Sequence, residues 1–281
     1  MQSADPVAAA SPGPRPVELA SVLLVLAASL APLAIFALAG WPGEPNGCIS
    51  RDTCFCERFR DGPVRQPANT FSNLGFMAAA LAMAVHSQRA RRRAPERRNR
   101  MTTDVRYAAL YVATVAFLGP GSMYLHASMT GWGGKVDVTS MYVFVAFLIA
   151  YGVARWRDLS WGSFLALYFA LAVGFTVSLL LPISSDVVFG GLVATSALVE
   201  GLALRRHRSR TTRKAWLLGA GACFGLAFAI WIPSRSSTGA LCAPDSLLQG
   251  HALWHLLCAG ATGCLYFYTR SEGTRDTPYR S

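Results

Sequence analysis

The stretch GPGSMYLHASMTGWGGKVDVTSMY, residues Gly119–Tyr142, lies between two long apolar runs. It puts Ser122, His126 and Asp137 at or near the ends of segments built for lipid. Ionisable and polar groups are costly there, and they persist where they meet partners or do chemistry. What flanks the stretch sets the fold; what other segments deliver to the same level sets the function.

The chain has 281 residues, 53% of them hydrophobic and only 15% charged. That is too apolar for an ordinary soluble domain and fits an all-α polytopic membrane protein. A net charge of +11 could point to nucleic acid, but the basic residues fall in short blocks between apolar runs, as in RARRRAPERRNR and RRHRSRTTRK. In a membrane protein such blocks are cytoplasmic anchors, so no nucleic-acid partner is expected.

Eight segments are long enough to cross a hydrocarbon core: 17–40, 70–87, 107–126, 136–154, 160–181, 185–204, 214–232 and 250–268. With the N-terminus inside, 20 of the 26 Lys and Arg residues fall on the inner side and 6 on the outer. That asymmetry puts both termini in the cytoplasm. Residues 1–16, rich in Pro and Ala, read as a disordered N-terminus, and 269–281 as a cytoplasmic tail. Segment 17–40 ends in Ala37-Leu38-Ala39, which has the small-x-small look of a signal-peptidase site. Its apolar run exceeds the roughly 7–15 residues of a signal peptide, so it reads as an extra transmembrane helix instead. Residues 41–69 form an outer loop.

This topology sorts the polar residues by depth. His126 lies near the outer end of its helix with Ser122 one turn deeper, and Asp137 opens the next helix. The last helix begins HALWHLLCAG, which sets His251 and His255 four residues apart on one face. PANTFSN brings Asn69, Ser72 and Asn73 to a similar level. Three imidazoles that leave a coordination position open are the ligand set of a catalytic zinc, and a nearby carboxylate can orient a ligand or act as a base. Taken singly, each residue has a plainer reading. His251 and His255 can contact headgroups, Ser122 can serve helix packing beside Gly119 and Gly121, and Asp137 can cap its helix. Their convergence at one depth is what favours a shared site. His86 and His207 fall beside the basic loops and read as solvated. Glu18 and Glu200 read as snorkelling or paired near the inner face, Glu200 with Arg205 or Arg206. Trp132, Trp161 and Trp254 fit interfacial belts.

Taken together, NTFSN, GSMYLHAS, an Asp eleven residues beyond the His, and HALWH resemble the alkaline ceramidases. More loosely they resemble the wider superfamily of seven-helix membrane hydrolases and adiponectin/progestin-type receptors. The resemblance runs from about Cys54 to Tyr268 and implies a seven-helix hydrolase-like domain over 70–268, with 17–40 as an N-terminal addition. It implies zinc held by His126, His251 and His255, with Asp137 contacting the water at the zinc. Ser122 would hold that water or stabilise the oxyanion, and Asn69 and Ser72 would brace the site. The implied reaction is hydrolysis of a ceramide amide to a sphingoid base and a fatty acid, and the expected substrate is a membrane lipid, ceramide or another lipid amide. Two departures stand out. In CFCERFRDGPVRQPANTFSN, Glu57 remains of the family's calcium-binding segment, but Cys54-Phe55 and Gln66 replace its other positions, which weighs against calcium. The Glu beside the family's catalytic Asp is Val138 here.

Four cysteines, Cys48, Cys54, Cys56 and Cys242, fall on the outer side. There they are candidates for disulfides tying the 41–69 loop to the 233–249 loop, with CFCE as a metal pair the weaker reading. A non-enzymatic lipid receptor or sensor of the same fold, with a structural zinc, is the competing function. A serine protease is disfavoured because GPGSM lacks a Gly-x-Ser-Gly setting, and a transporter because no paired repeat is visible. The sequence sets no oligomeric state.

Overall fold

A computed structural model describes residues 16–46, 55–93, 99–207, 210–236 and 238–274. Its centre is the helix that carries the first part of the opening stretch, Gly119–Ser128. Val105–Ser128 is buried along most of its length, with Asp104 accepting from the Arg106 N–H at its start and Met129 left-handed at its end. Ten helices occur in chain order among the described residues: α1 Val17–Ala39, α2 Pro67–Phe71, α3 Leu74–Arg93, α4 Arg100–Thr103, α5 Val105–Ser128, α6 Gly131–Arg157, α7 Trp161–Ser178, α8 Ser185–Arg206, α9 Lys214–Ser234 and α10 Gly250–Arg270. Two short strands, β1 Arg210–Thr211 and β2 Gly273–Thr274, pair antiparallel. Helices α1, α3 and α6 surround α5; α7 and α8 flank α6; α9 packs on α10.

Seven of these units are long and apolar enough to cross a membrane: α1, the α2–α3 unit Pro67–Arg93, and α5 through α9. The chain is an all-α polytopic membrane protein. The eighth expected span forms α10, which has the length but not the apolarity because His251, His255 and Arg270 lie on it. It is built into the bundle all the same, against α9 and α3. The expected break from helix to tail at residue 269 does not occur. Thr269 and Arg270 complete α10, and Ser271 and Glu272 are buried.

Several charges assigned to the membrane surface are instead buried in pairs at the basic end of the bundle. Glu18 is fully buried, accepting from Ser87 Oγ at 2.8 Å and pairing with Arg91, which ties α1 to α3. Glu200 meets neither Arg205 nor Arg206. It takes Arg155 at 2.6 Å and the Tyr268 hydroxyl at 2.5 Å, while Glu272 takes the other side of Arg155 at 2.9 Å. Charges from α6, α8 and the segment after α10 are thereby paired, which offsets part of the cost of burying them. His86 and His207 are not free in solvent either: His86 Nδ1 lies 3.0 Å from the Tyr266 hydroxyl, and His207 Nε2 donates to the Arg155 carbonyl at 2.8 Å. At the opposite end Trp132 joins Phe36, Trp41 and Tyr124 in an aromatic cluster where α1, α5 and α6 meet.

Candidate metal centre

Close helix packing sets the site's position. A Cβ on Gly121 would lie 2.5 Å from Ser140 Cβ on α6, and one on Gly119 would lie 2.7 Å from Met77 Cγ on α3. The small residues on either side of Pro120 therefore let α5 approach both neighbours, and Ser122 and His126 follow within two turns. On α10 the four-residue spacing presents His251 and His255 from one face toward α5.

His126, His251 and His255 are buried, at 0%, 7% and 3% exposure. One ring nitrogen from each lies within 4.8 Å of the others, so the cluster can hold a metal ion. The neighbours of each ring decide which nitrogen is offered. Gln66 donates through Nε2 to the Glu57 carbonyl at 3.0 Å, which turns its Oε1 to His126 Nδ1 at 2.8 Å. That oxygen only accepts, so Nδ1 carries the proton and Nε2 is bare. Ser72 donates to the Asn69 carbonyl at 3.0 Å and sits 2.7 Å from His255 Nδ1. Its one proton is thus used, so His255 donates from Nδ1 and keeps Nε2 bare.

His251 is different. Its Nε2 lies 3.1 Å from His126 Nε2, and its Nδ1 is buried without a partner. If Nε2 carries the proton, Nδ1 is an unmatched acceptor; if Nδ1 carries it, two nitrogen lone pairs face each other. Either way a buried polar group is left unsatisfied, at a cost of about 1–3 kcal/mol. A cation held by the three rings would relieve the conflict between His126 and His251, and neutral imidazole is a normal zinc ligand. The residues fit a metal of that kind.

The other predicted residues gather around this cluster. Ser122 Oγ is 3.4 Å from His255 Nε2. Asp137 stands outside the ligand cluster, within electrostatic reach of Ser122, and lines the same cavity. Asn69 is fully buried and reaches Gln66 Oε1 through Nδ2 at 3.4 Å. Glu57 accepts from the backbone N–H groups of Ala68 and Asn69 at 2.7 and 2.8 Å, so its carboxylate is spent on the start of α2. Burial raises its pKa above the usual carboxylate range, against the pull of those two amides.

Cys56 and Cys242 form a disulfide between the loops on either side of the site. Arg58 and Asp245 pair beside it at 2.6 Å, with both side chains exposed. Cys48 and Cys54 lie outside the described residues. Phe55 and Cys56 have φ of +51° and +44°, a region that residues other than glycine seldom occupy. That turn sets the Phe55 ring 4.2 Å from the His251 ring and 4.9 Å from that of His126. Sequence reasoning assigned no role to Phe55 or Gln66; each was noted only as a departure at a calcium position.

A cavity of about 1060 Å³ adjoins the cluster. It begins at Ser122, Asp137, His251 and His255, runs between the α6–α8 and α9–α10 pairs past apolar side chains such as Val145 and Phe224, and ends at Glu200 and Tyr268. His255 and Tyr268 are thirteen residues apart on α10, so the cavity is about 20 Å deep at 1.5 Å per residue. Trp254, expected in an interfacial belt, lines its wall.

A multi-pass helical bundle with a buried histidine triad at one end of an apolar cavity is a membrane protein equipped to hold a metal beside a lipid-sized space. The model described as Ceramidase matches residues 64–275, and the chain belongs to the ceramidase family. Membership supports a hydrolase acting on a lipid amide. No curated protein matches the chain.

Proposed function

We propose that the protein is a zinc-dependent hydrolase that cleaves the amide bond of a membrane lipid, with ceramide as the first substrate to test. The observation that carries this reading is the convergence of three buried imidazoles, two of which, His251 and His255, line a deep apolar cavity. The volume is at the top of the range for small-molecule sites, as a long-chain lipid needs. His126, His251 and His255 would hold the zinc. When bound, zinc polarises a carbonyl and lowers the pKa of a water to about 7.

The chain's own groups complete the chemistry. Asp137, outside the ligand set, accepts a proton from the attacking water at a carboxylate oxygen. A carbon–oxygen bond forms, the carbon–nitrogen bond breaks, and the same proton passes to the departing nitrogen. Ser122 Oγ–H donates to the substrate oxygen as it gains charge. Products are a fatty acid and an amine, a sphingoid base if the substrate is ceramide. The cavity shields the reaction from bulk water and takes the apolar chain. The excess of Arg and Lys at the opposite end supports a cytoplasmic location for that end, with the site toward the periplasmic, extracellular or luminal side.

The test joins metal content to turnover. Protein purified in detergent is assayed for zinc by mass spectrometry and for fatty-acid release from ceramide and other lipid amides. About one zinc per chain is expected, with hydrolysis lost on chelation and restored by added zinc. His255→Ala should lose both metal and activity yet remain in the membrane. Absence of zinc from folded protein, or full activity in that variant, overturns the reading. Zinc without hydrolysis of any lipid amide favours the receptor alternative.

A further inference from the structure

The acceptor that faces His126 belongs to Gln66, a fully buried amide at the entry to α2. Every polar group it has is engaged. Its backbone N–H donates to the His126 carbonyl at 3.0 Å, and Arg65 N–H donates to the Ala127 carbonyl at 3.1 Å, so residues 65–66 lie strand-like along the end of α5. Its side-chain Nε2 donates to the Glu57 carbonyl, its Oε1 faces His126 Nδ1, and Asn69 Nδ2 donates to the same oxygen. The amide cannot be flipped, because Oε1 would then meet the Glu57 carbonyl, which only accepts. Gln66 thus grips His126 at both backbone and ring. Its anchor on the far side, Glu57, is held to α2 by two backbone amides and follows Cys56 of the disulfide.

We propose that Gln66 is a positioning residue for metal binding: it fixes the His126 ring in the tautomer and orientation that present Nε2, and so sets zinc affinity from the loop that Cys56 and Cys242 lock. This rests on the zinc reading above. Partners that hold the second nitrogen of a metal-binding histidine set affinity on a scale of about 10–100-fold. Ser72 serves His255 in the same way, whereas His251 Nδ1 has no such partner. Of the three rings, His126 is also the one held at its backbone by the residue that meets its ring.

The test separates the acceptor oxygen from packing. Gln66→Met keeps the side chain's length and fills its volume but offers no good acceptor, whereas Gln66→Glu keeps an oxygen opposite Nδ1. Zinc affinity is measured by chelator competition on full-length detergent-purified protein. Thermal unfolding without metal and the visible spectrum of the cobalt-substituted form are recorded alongside. Gln66→Met should weaken zinc by about 10–100-fold with an altered cobalt spectrum. Gln66→Glu should stay within a few-fold of wild type. Wild-type affinity in Gln66→Met overturns the proposal. Equal losses in both variants, tracking a common fall in metal-free stability, also overturn it and make Gln66 a packing residue. Failure of the wild type to bind zinc falls on the functional reading first and takes this proposal with it, so the two failures are distinguishable.

Discussion

His126, His251 and His255 differ in how their second ring nitrogen is served, and that difference orders the residues around them. Ser72 and Gln66 meet the second nitrogens of His255 and His126, whereas Ser122 and Asp137 line the cavity. The two sets should therefore fail differently. Asp137→Asn should keep its zinc and lose about 10²–10⁴ in kcat, the range for a positioned acid–base group. Full kcat with zinc present would remove Asp137 from the reaction. The histidine cluster and the place of Ser122 beside it were legible in the sequence, because helical spacing and the charge-based topology put them at one level with no tertiary information. Gln66 was not legible. Its contact with His126 comes from a backbone register between residues 65–66 and 126–127, and no local pattern encodes a pairing across sixty residues.

At the scale of elements, the critical contact is α5 against α6. Gly121 faces Ser140 with no room for a methyl group, whereas Gly174 on α7 has open space at its Cβ. Gly121→Val should destabilise the protein by about 1–3 kcal/mol or more through overpacking. Gly174→Ala should be neutral or stabilise by up to about 1 kcal/mol, as alanine favours the helix. Thermal unfolding in detergent compares the two, and equal stability of both variants would refute the packing argument. Apolar runs made the long helices legible. The short α2, the break at Ser72 and Asn73, and the partners of Glu200 were not, because each depends on what packs nearby. An expectation of snorkelling assumes that a charge near a membrane face reaches water; Glu18 and Glu200 instead meet arginines from other helices.

For the whole molecule, the relevant dimension is the depth of the cavity from the histidines to the Glu200–Tyr268 floor. Gly221 lies on its wall in the half of α9 nearer the basic end, with nothing within 4 Å of its Cβ position. Gly221→Phe should fill the far part of the cavity and leave the metal centre untouched. Relative to short-chain amides, kcat/KM for long-chain amides should fall by about tenfold or more, the scale on which single pocket contacts discriminate. An unchanged chain-length profile would show that the chain does not occupy this space.

The same architecture has a consequence in time. His126 precedes His251 by 125 residues, and Cys56 precedes Cys242 by 186. A chain still on the ribosome, with α1 through α9 already inserted, carries one imidazole of the three, and Cys242 has yet to emerge. Since synthesis delivers the N-terminal part first, neither metal capture nor closure of this loop can guide early insertion. Capture of a metal by all three rings must wait for α10 and closure of the loop for Cys242, so a metal-loaded site would mark a bundle whose last helix is in place.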